Sequence, residues 1–398
     1  MLESLALPPG VREALLPTPE QTLLLRACLQ QGEPARLAWA AWRGGEPSVE
    51  QRLANGRRGA RRLLPMLYRS AQRNDLPLEP ALLTYLRTAT MYEGLRARAY
   101  RRVCRSALAA LAEGRVAAVM LKGPALAAAV YERWSLRHCH DLDLLVNEAD
   151  APRAASSLAS SGFARTNLRP EGGSAGRRLV HGSGLPAALH TRLFEIAYYQ
   201  PPLAEMWERS RLITIAGEPA RILSAPDTLV HVCGHAACSR SRETLQWACD
   251  AWVLIERVPD LDWSALAAGA LAGRLAMPVA IMLDYLSATL GAPVPEGVLL
   301  RLAAAAAGDS SGRDAVLAGA RAGSRGTLSA LLRATPGLGA RVRLLLWTAF
   351  PSAEYVRLSQ PGRRRGQLIG YYARRGLGYL ARRLRSLFGR RRPRLYGS

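Results

Sequence analysis

The sharpest feature of the sequence is Asp141-Leu142-Asp143, which opens the apolar run Leu142 to Val146. Side chains alternate faces along a strand. Asp141 and Asp143 would therefore share one face, while Leu142, Leu144 and Val146 point into a core. Two neighbouring carboxylates repel each other, and a divalent cation is the usual relief. A pair of solvated acids at a strand edge is the competing reading. Upstream, Leu121-Lys122-Gly123-Pro124 stops a second apolar run that begins at Val116. Glycine lets a phosphate approach the backbone, a following helix N-terminus favours anions, and Lys122 adds a point charge suited to a triphosphate. An ordinary turn would carry the same residues. Lys122 is the single lysine among 54 basic residues. Such an arginine excess, with abundant Ala and Gly, is what GC-rich coding produces. A lysine retained in that background hints at a place where a planar guanidinium does not fit.

The histidines and cysteines invite a metal reading. His231 and His235 fall one helical turn apart, as zinc ligands do, with Cys233 and Cys238 close by. Cys233 points off that face and no fourth ligand is evident, so the two histidines are expected to line a cleft or pack between domains. His138-Cys139-His140 flanks the acidic pair but offers no convergent chelate. The six cysteines are scattered, without a disulfide framework.

Positioning these residues requires a strand over 116–121, a helix over 125–132, a strand over 141–146 and a helix over 151–161. A loop or hairpin over 167–184 is expected next, then a strand over 185–194 and a hairpin over 211–223 centred on Ala216-Gly217-Glu218. Before this block, helical spacing runs from about 20 to 112, ending in a long helix over 80–113 stopped by Gly114. After it, helices are expected near 229–237 (with Asp227 as N-cap), 243–257, 263–273, 275–291, 296–307 and 313–322. The domain reading is a helical part at 1–108, a sheet-bearing core at 109–225, a helical part at 226–360 and a tail at 361–398.

Composition sets outer bounds. The chain has 398 residues, 49% hydrophobic, 21% charged and 6% aromatic, which excludes a disordered chain and a small disulfide scaffold. The most apolar stretch, 275–294, is broken by Asp284, short of the roughly 18 uninterrupted residues of a membrane span. Met1 to Ser4 lacks the basic and apolar regions of a secretory leader, so a cytoplasmic location is expected. The net charge is +23. The tail holds twelve arginines and no acid, interleaved with Leu, Ile, Tyr and Phe. It reads as a partly helical basic amphipathic segment suited to an anionic membrane surface or a polyanion, or as a solvated flank of the helical part.

The order strand, glycine turn, helix, connector and Asp-x-Asp strand resembles the minimal nucleotidyltransferase core of the DNA polymerase beta superfamily. More closely, Leu121-Lys122-Gly123-Pro124-Ala125-Leu126, Tyr131, Leu136-Arg137 and Asp141 to Val146 resemble uncharacterised bacterial nucleotidyltransferase family proteins. Some members of that group accompany lasso-peptide or surface-polysaccharide gene clusters. Leu189-His190 and the Asp227, His231, His235 and Asp250 pattern also fit, extending the resemblance over most of residues 20–360. The resemblance implies an α+β protein with a small mixed-sheet core embedded between helical domains. It implies metal-dependent transfer of a nucleoside monophosphate from an NTP to a peptide, protein or small-molecule acceptor. Asp141 and Asp143 would bind Mg2+ or Mn2+, and Lys122 and Gly123 would hold phosphate. Arg137 would contact phosphate or base, or else pair with a structural carboxylate. One departure stands out. The third carboxylate expected two residues before the Leu-His histidine is Ala188. His190 shares its face and becomes the candidate base or ligand, whereas Glu195 has the opposite parity. A catalytically degenerate NTP-binding protein and a basic polyanion- or membrane-binding scaffold are the alternatives.

Overall fold

In the computed structural model, residues 10–44, 58–165, 176–238, 245–320, 332 and 337–349 are described. Two compact units are present: residues 1–165 with 172–334, and residues 166–171 with 335–398. The basic tail at 361–398 lies outside the described residues. In the second unit the helix Leu338–Ala349 is described, with Leu338, Val342 and Leu346 exposed one turn apart.

The first unit is α+β. Its seven strands are β1 (Ala118–Leu121), β2 (Leu142–Val146), β3 (Phe163–Arg165), β4 (Gly176–His181), β5 (Pro186–His190), β6 (Arg211–Ile215) and β7 (Glu218–Ile222). They form one mixed sheet in the order β3-β4-β5-β2-β1-β7-β6. β1 and β2 are antiparallel, while β7 joins β1 and β5 joins β2 in parallel. Every residue of β2 is buried, because helices cover both faces of the sheet. Leu142, Leu144 and Val146 pack with Met120, Leu189 and Ile222 beneath Tyr100, Val103 and Ala107. Those last three belong to the long helix Pro80–Glu113, which ends at Gly114 as its sequence predicts. Val119, Leu121 and Leu145 look the other way, into a second core.

That second core joins the helices before the sheet to those after it. Leu25, Trp39, Leu67 and Leu86 share it with Leu229, Leu254, Ile281 and Leu286. Polar contacts follow the same seam: Arg12 pairs with Asp284 at 3.2 Å and Thr22 bonds Tyr285 at 2.8 Å. The apolar stretch near 275–294 is thus an interior helix, Ala276–Leu290, ended by Gly291 in the left-handed region. No helix among the described residues is long and apolar enough to cross a membrane.

Two local expectations need correction. The helix after β7 begins at Ala225, so Asp227 lies inside its first turn. The Ser224 hydroxyl receives the Asp227 amide at 3.3 Å, and the buried Asp227 carboxylate takes Arg209 instead. The strand expected to reach Phe194 stops at His190. Leu193, Phe194 and Ile196 leave the sheet to fill the helical core, which removes the parity argument for Glu195. Of the loop and hairpin left open for 167–184, the structure shows hairpin pairing, with β4 at 176–181 antiparallel to both β3 and β5.

Close helix packing generates a test. A Cβ on Gly319 would lie 1.8 Å from the Ala237 carbonyl oxygen. The backbone of the facing helix would have to move. Gly319→Ala should therefore destabilise the fold by about 2–3 kcal/mol, read as a lower urea midpoint with an unchanged m-value.

Candidate functional site

Register assembles the site. Leu121 pairs with Asp143 across β1 and β2, so Lys122, the next residue, emerges beside that carboxylate. Its Nζ lies 2.7 Å from Asp143 Oδ2. On the other flank Asp143 pairs with Ala188 and Leu145 with His190. His190 is thus two positions along β5 on the same face, and its Nε2 lies 2.7 Å from Asp143 Oδ1. Asp143 itself is only 3% exposed. Lys122 has φ +49°, a left-handed conformation that costs an ordinary residue about 1 kcal/mol. The chain accepts that strain at the strand-to-helix turn, where the ammonium meets the buried carboxylate.

The two acids have opposite electrostatics. Burial pushes the Asp143 carboxyl up, but the Lys122 ammonium and the His190 hydrogen bond outweigh burial and hold it well below the usual range. Asp141 sits just before β2, with His140 Nε2 3.4 Å from its Oδ2. Burial and then the Asp143 charge push its carboxyl up to about 6. Because an ionised carboxylate only accepts, His190 Nε2 is the donor in that bond, and in a neutral ring the acceptor is then Nδ1.

Gly123 is buried against the connector, and a Cβ there would come within 3.3 Å of both Arg137 Nη1 and Cys139 Sγ. Of the two partners left open for Arg137, the structure places a carboxylate against it. Asp250 accepts from Arg137 Nε at 3.0 Å and from Nη2 at 2.7 Å, and also takes the Tyr131 hydroxyl at 2.7 Å. Burial alone would lower the Arg137 pKa, but Asp250 more than reverses it. Further anchors come from the long helix. Glu93 bonds the His138 ring at 3.0 Å, and Arg96 donates to the Cys139 carbonyl at 2.9 Å. These fix the connector that delivers Asp141. Burial keeps the Cys139 thiol protonated, pushing it up to about 12.

His231 and His235 line the same region from the helix Ala225–Cys238, with ring centroids 6.1 Å apart. His231 Nε2 is buried without a hydrogen-bond partner among the described residues. Burial, then the Lys122 charge, push its pKa down to about 3, and the same causes hold His235 well below normal. Cys233 faces the apolar core instead. Among the described residues no group of three or more His, Cys, Asp or Glu side chains converges on a possible metal position. Asp141 and Asp143 suit a hard divalent ion in donor type. Both Asp143 oxygens, however, are engaged by Lys122 and His190.

Two stability tests follow. A histidine held neutral in the fold costs stability once pH drops below its unfolded value of about 6.5. His231 alone should cost about 2 kcal/mol at pH 5 by this linkage, and His235 has the same sign. Urea unfolding should show stability falling from pH 7 to 5, with a shallower fall in His231→Gln. Separately, Asp250→Ala leaves Arg137 buried and unpaired and should cost about 3–5 kcal/mol. Arg137→Met with Asp250→Leu should lose clearly less than Asp250→Ala.

Neither the comparison with curated proteins nor that with solved structures returned a match. A family model described as uncharacterised nucleotidyltransferase matches residues 59–291. The match takes in the long helix, β1, the Lys122 turn, β2, the rest of the sheet and the helices that carry Asp227 and Asp250. On that match, covering more than half of its length, the chain belongs to the uncharacterised nucleotidyltransferase family.

Proposed function

We propose that the protein is a metal-dependent nucleotidyltransferase that moves a nucleoside monophosphate from an NTP to a hydroxyl- or phosphate-bearing acceptor. The observation that carries this reading is the buried Asp143 carboxylate, held ionised by Lys122 at the β1 turn and standing beside Asp141. Asp141 and Asp143 are the residues that would hold Mg2+ or Mn2+, the ion supplying charge neutralisation to the triphosphate. Lys122 is the resident counter-ion of Asp143. Its flexible stem lets the ammonium pass to the β- and γ-phosphates, freeing a carboxylate oxygen. In the reaction the acceptor oxygen bonds to the α-phosphorus, the bond to the bridging oxygen breaks, and pyrophosphate departs. With Ala188 beside Asp143 in place of a third acid, His190 Nδ1 is the group that takes the acceptor's proton. The membrane-facing or polyanion-binding role of the tail at 361–398 stays part of the proposal as a route to localisation, not to chemistry.

The test is a titration of each NTP with Mg2+ or Mn2+, paired with a pyrophosphate assay. Wild type should bind at least tenfold more tightly with metal than without. Asp141→Asn with Asp143→Asn should abolish that difference while remaining folded. Pyrophosphate release that is lost in His190→Ala supports transfer. Metal-dependent binding without release in the presence of diverse acceptors would favour the degenerate NTP-binding reading, which the Ala188 position supports. No nucleotide binding at all would overturn the proposal.

A further inference from the structure

A recess lies at the opposite end of the Lys122–Ala129 helix from Lys122. Its volume is about 270 Å³. Leu29, Met66, Val130, Leu136, Trp252 and Val253 supply apolar walls. Its charged lining is Arg69, Arg73 and Arg257 with Glu132 and Glu256. These groups come from the helices Leu64–Asn74 and Gln246–Arg257 and from the connector, and none belongs to the Asp143 site.

The charges are not equivalent. Arg69 is spent on Glu132, with which it forms an ion pair. Arg73 gives one donor to the Gln30 carbonyl at 3.0 Å and keeps the rest of its fork. Three arginines against two glutamates leave the lining with a single excess positive charge. A triphosphate or a nucleic-acid strand would bring several negative charges and meet two carboxylates, so neither matches. One anionic head group does match, and a guanidinium fork suits a carboxylate geometrically. The apolar walls ask for an apolar body. A cavity of roughly 150 Å³ holds a benzene ring, so the volume here accommodates one ring and a head group.

We propose that this recess is a binding site for a small monocarboxylate with an aromatic or compact aliphatic body, its carboxylate on Arg73 and Arg257 and its body against Trp252 and Met66. Burial first, then the Arg69 and Arg257 guanidiniums, lower the Arg73 pKa against the opposing pull of Glu132, and an anion would relieve the repulsion among the arginines. The site does not depend on the nucleotidyltransferase reading. Its floor includes Tyr131, whose hydroxyl bonds the Asp250 that holds Arg137. An occupant would thus sit two hydrogen bonds, through Asp250, from Arg137 on the connector that leads to Asp141.

The experiment is calorimetric titration of the full-length protein with three probes: phenylacetate, acetate and phenyl phosphate. Phenylacetate should bind at least tenfold more tightly than acetate, because acetate lacks the body, and more tightly than phenyl phosphate, which carries the larger charge. Arg257→Gln, at an exposed position, should weaken phenylacetate at least threefold, and Arg73→Gln with Arg257→Gln at least tenfold. Arg153→Gln, at an exposed arginine outside the recess, should leave phenylacetate affinity unchanged, which separates this recess from general surface charge. No phenylacetate binding at millimolar concentration would overturn the proposal. So would equal affinity for acetate, preference for phenyl phosphate, unchanged affinity in the double variant, or an equal loss in Arg153→Gln.

Discussion

A carboxylate buried in a sheet covered on both faces must find a cation, and in this protein that need organises the site. Asp143 lies in β2 between neighbours that are wholly apolar, at 3% exposure. Left alone it would protonate or unfold its surroundings. Lys122 and His190 meet it from the two adjacent strands. The ammonium reaches it because β1 ends one residue earlier, at the partner of Asp143 in the ladder. The left-handed backbone at Lys122 is the local cost of that reach. The same demand makes the solitary lysine of an arginine-rich chain intelligible. A compact ammonium on a thin stem enters a closed corner that a flat, five-donor fork would crowd.

The second organising contact is the Arg137–Asp250 pair. It fastens the connector before β2 to a helix more than a hundred residues later, with Tyr131 and Gln246 sharing the carboxylate. Glu93 and Arg96 fasten the same connector from the other side. The result is a rigid approach to Asp141 built from both helical flanks. Gly123 fits this picture because it leaves room for Arg137 and Cys139.

Much of this was legible in the sequence, for identifiable reasons. The long helix, β1, β2 and the β6–β7 hairpin announced themselves through strong periodicity or through Gly punctuation, and each lies within a few residues of its expected place. The hairpin turn at Ala216-Gly217 shows why: both residues have positive φ, which Gly readily supplies. The misjudged elements depended on tertiary demand. Nothing local says that the chain after His190 abandons the sheet, since Leu193 and Phe194 would suit a strand equally well. Nor does spacing reveal that Asp227 answers Arg209, or that Arg137 answers Asp250 across 113 positions. Buried ion pairs are invisible to periodicity because each partner looks, on its own, like a surface charge. His231, whose Nε2 has no hydrogen-bond partner among the described residues, was visible only as half of an i, i+4 pair, which without a fourth ligand favoured lining a cleft or packing between domains over binding a metal.

The core shared by the first and last helices also sets a timetable. Arg12 and Asp284 are 272 positions apart, and the apolar seam around them spans a comparable distance. At ribosomal rates of roughly 5–20 residues per second, the N-terminal helices wait on the order of 15–50 s for their partners to be made. During that interval Leu25, Trp39 and Leu67 have no complete core to enter. The β1–β2 ladder, by contrast, closes over a short stretch of chain and can form as soon as it emerges. A nascent chain would therefore carry a nearly finished β1–β2 ladder while its first helices still expose apolar faces, a state in which a chaperone has something definite to hold.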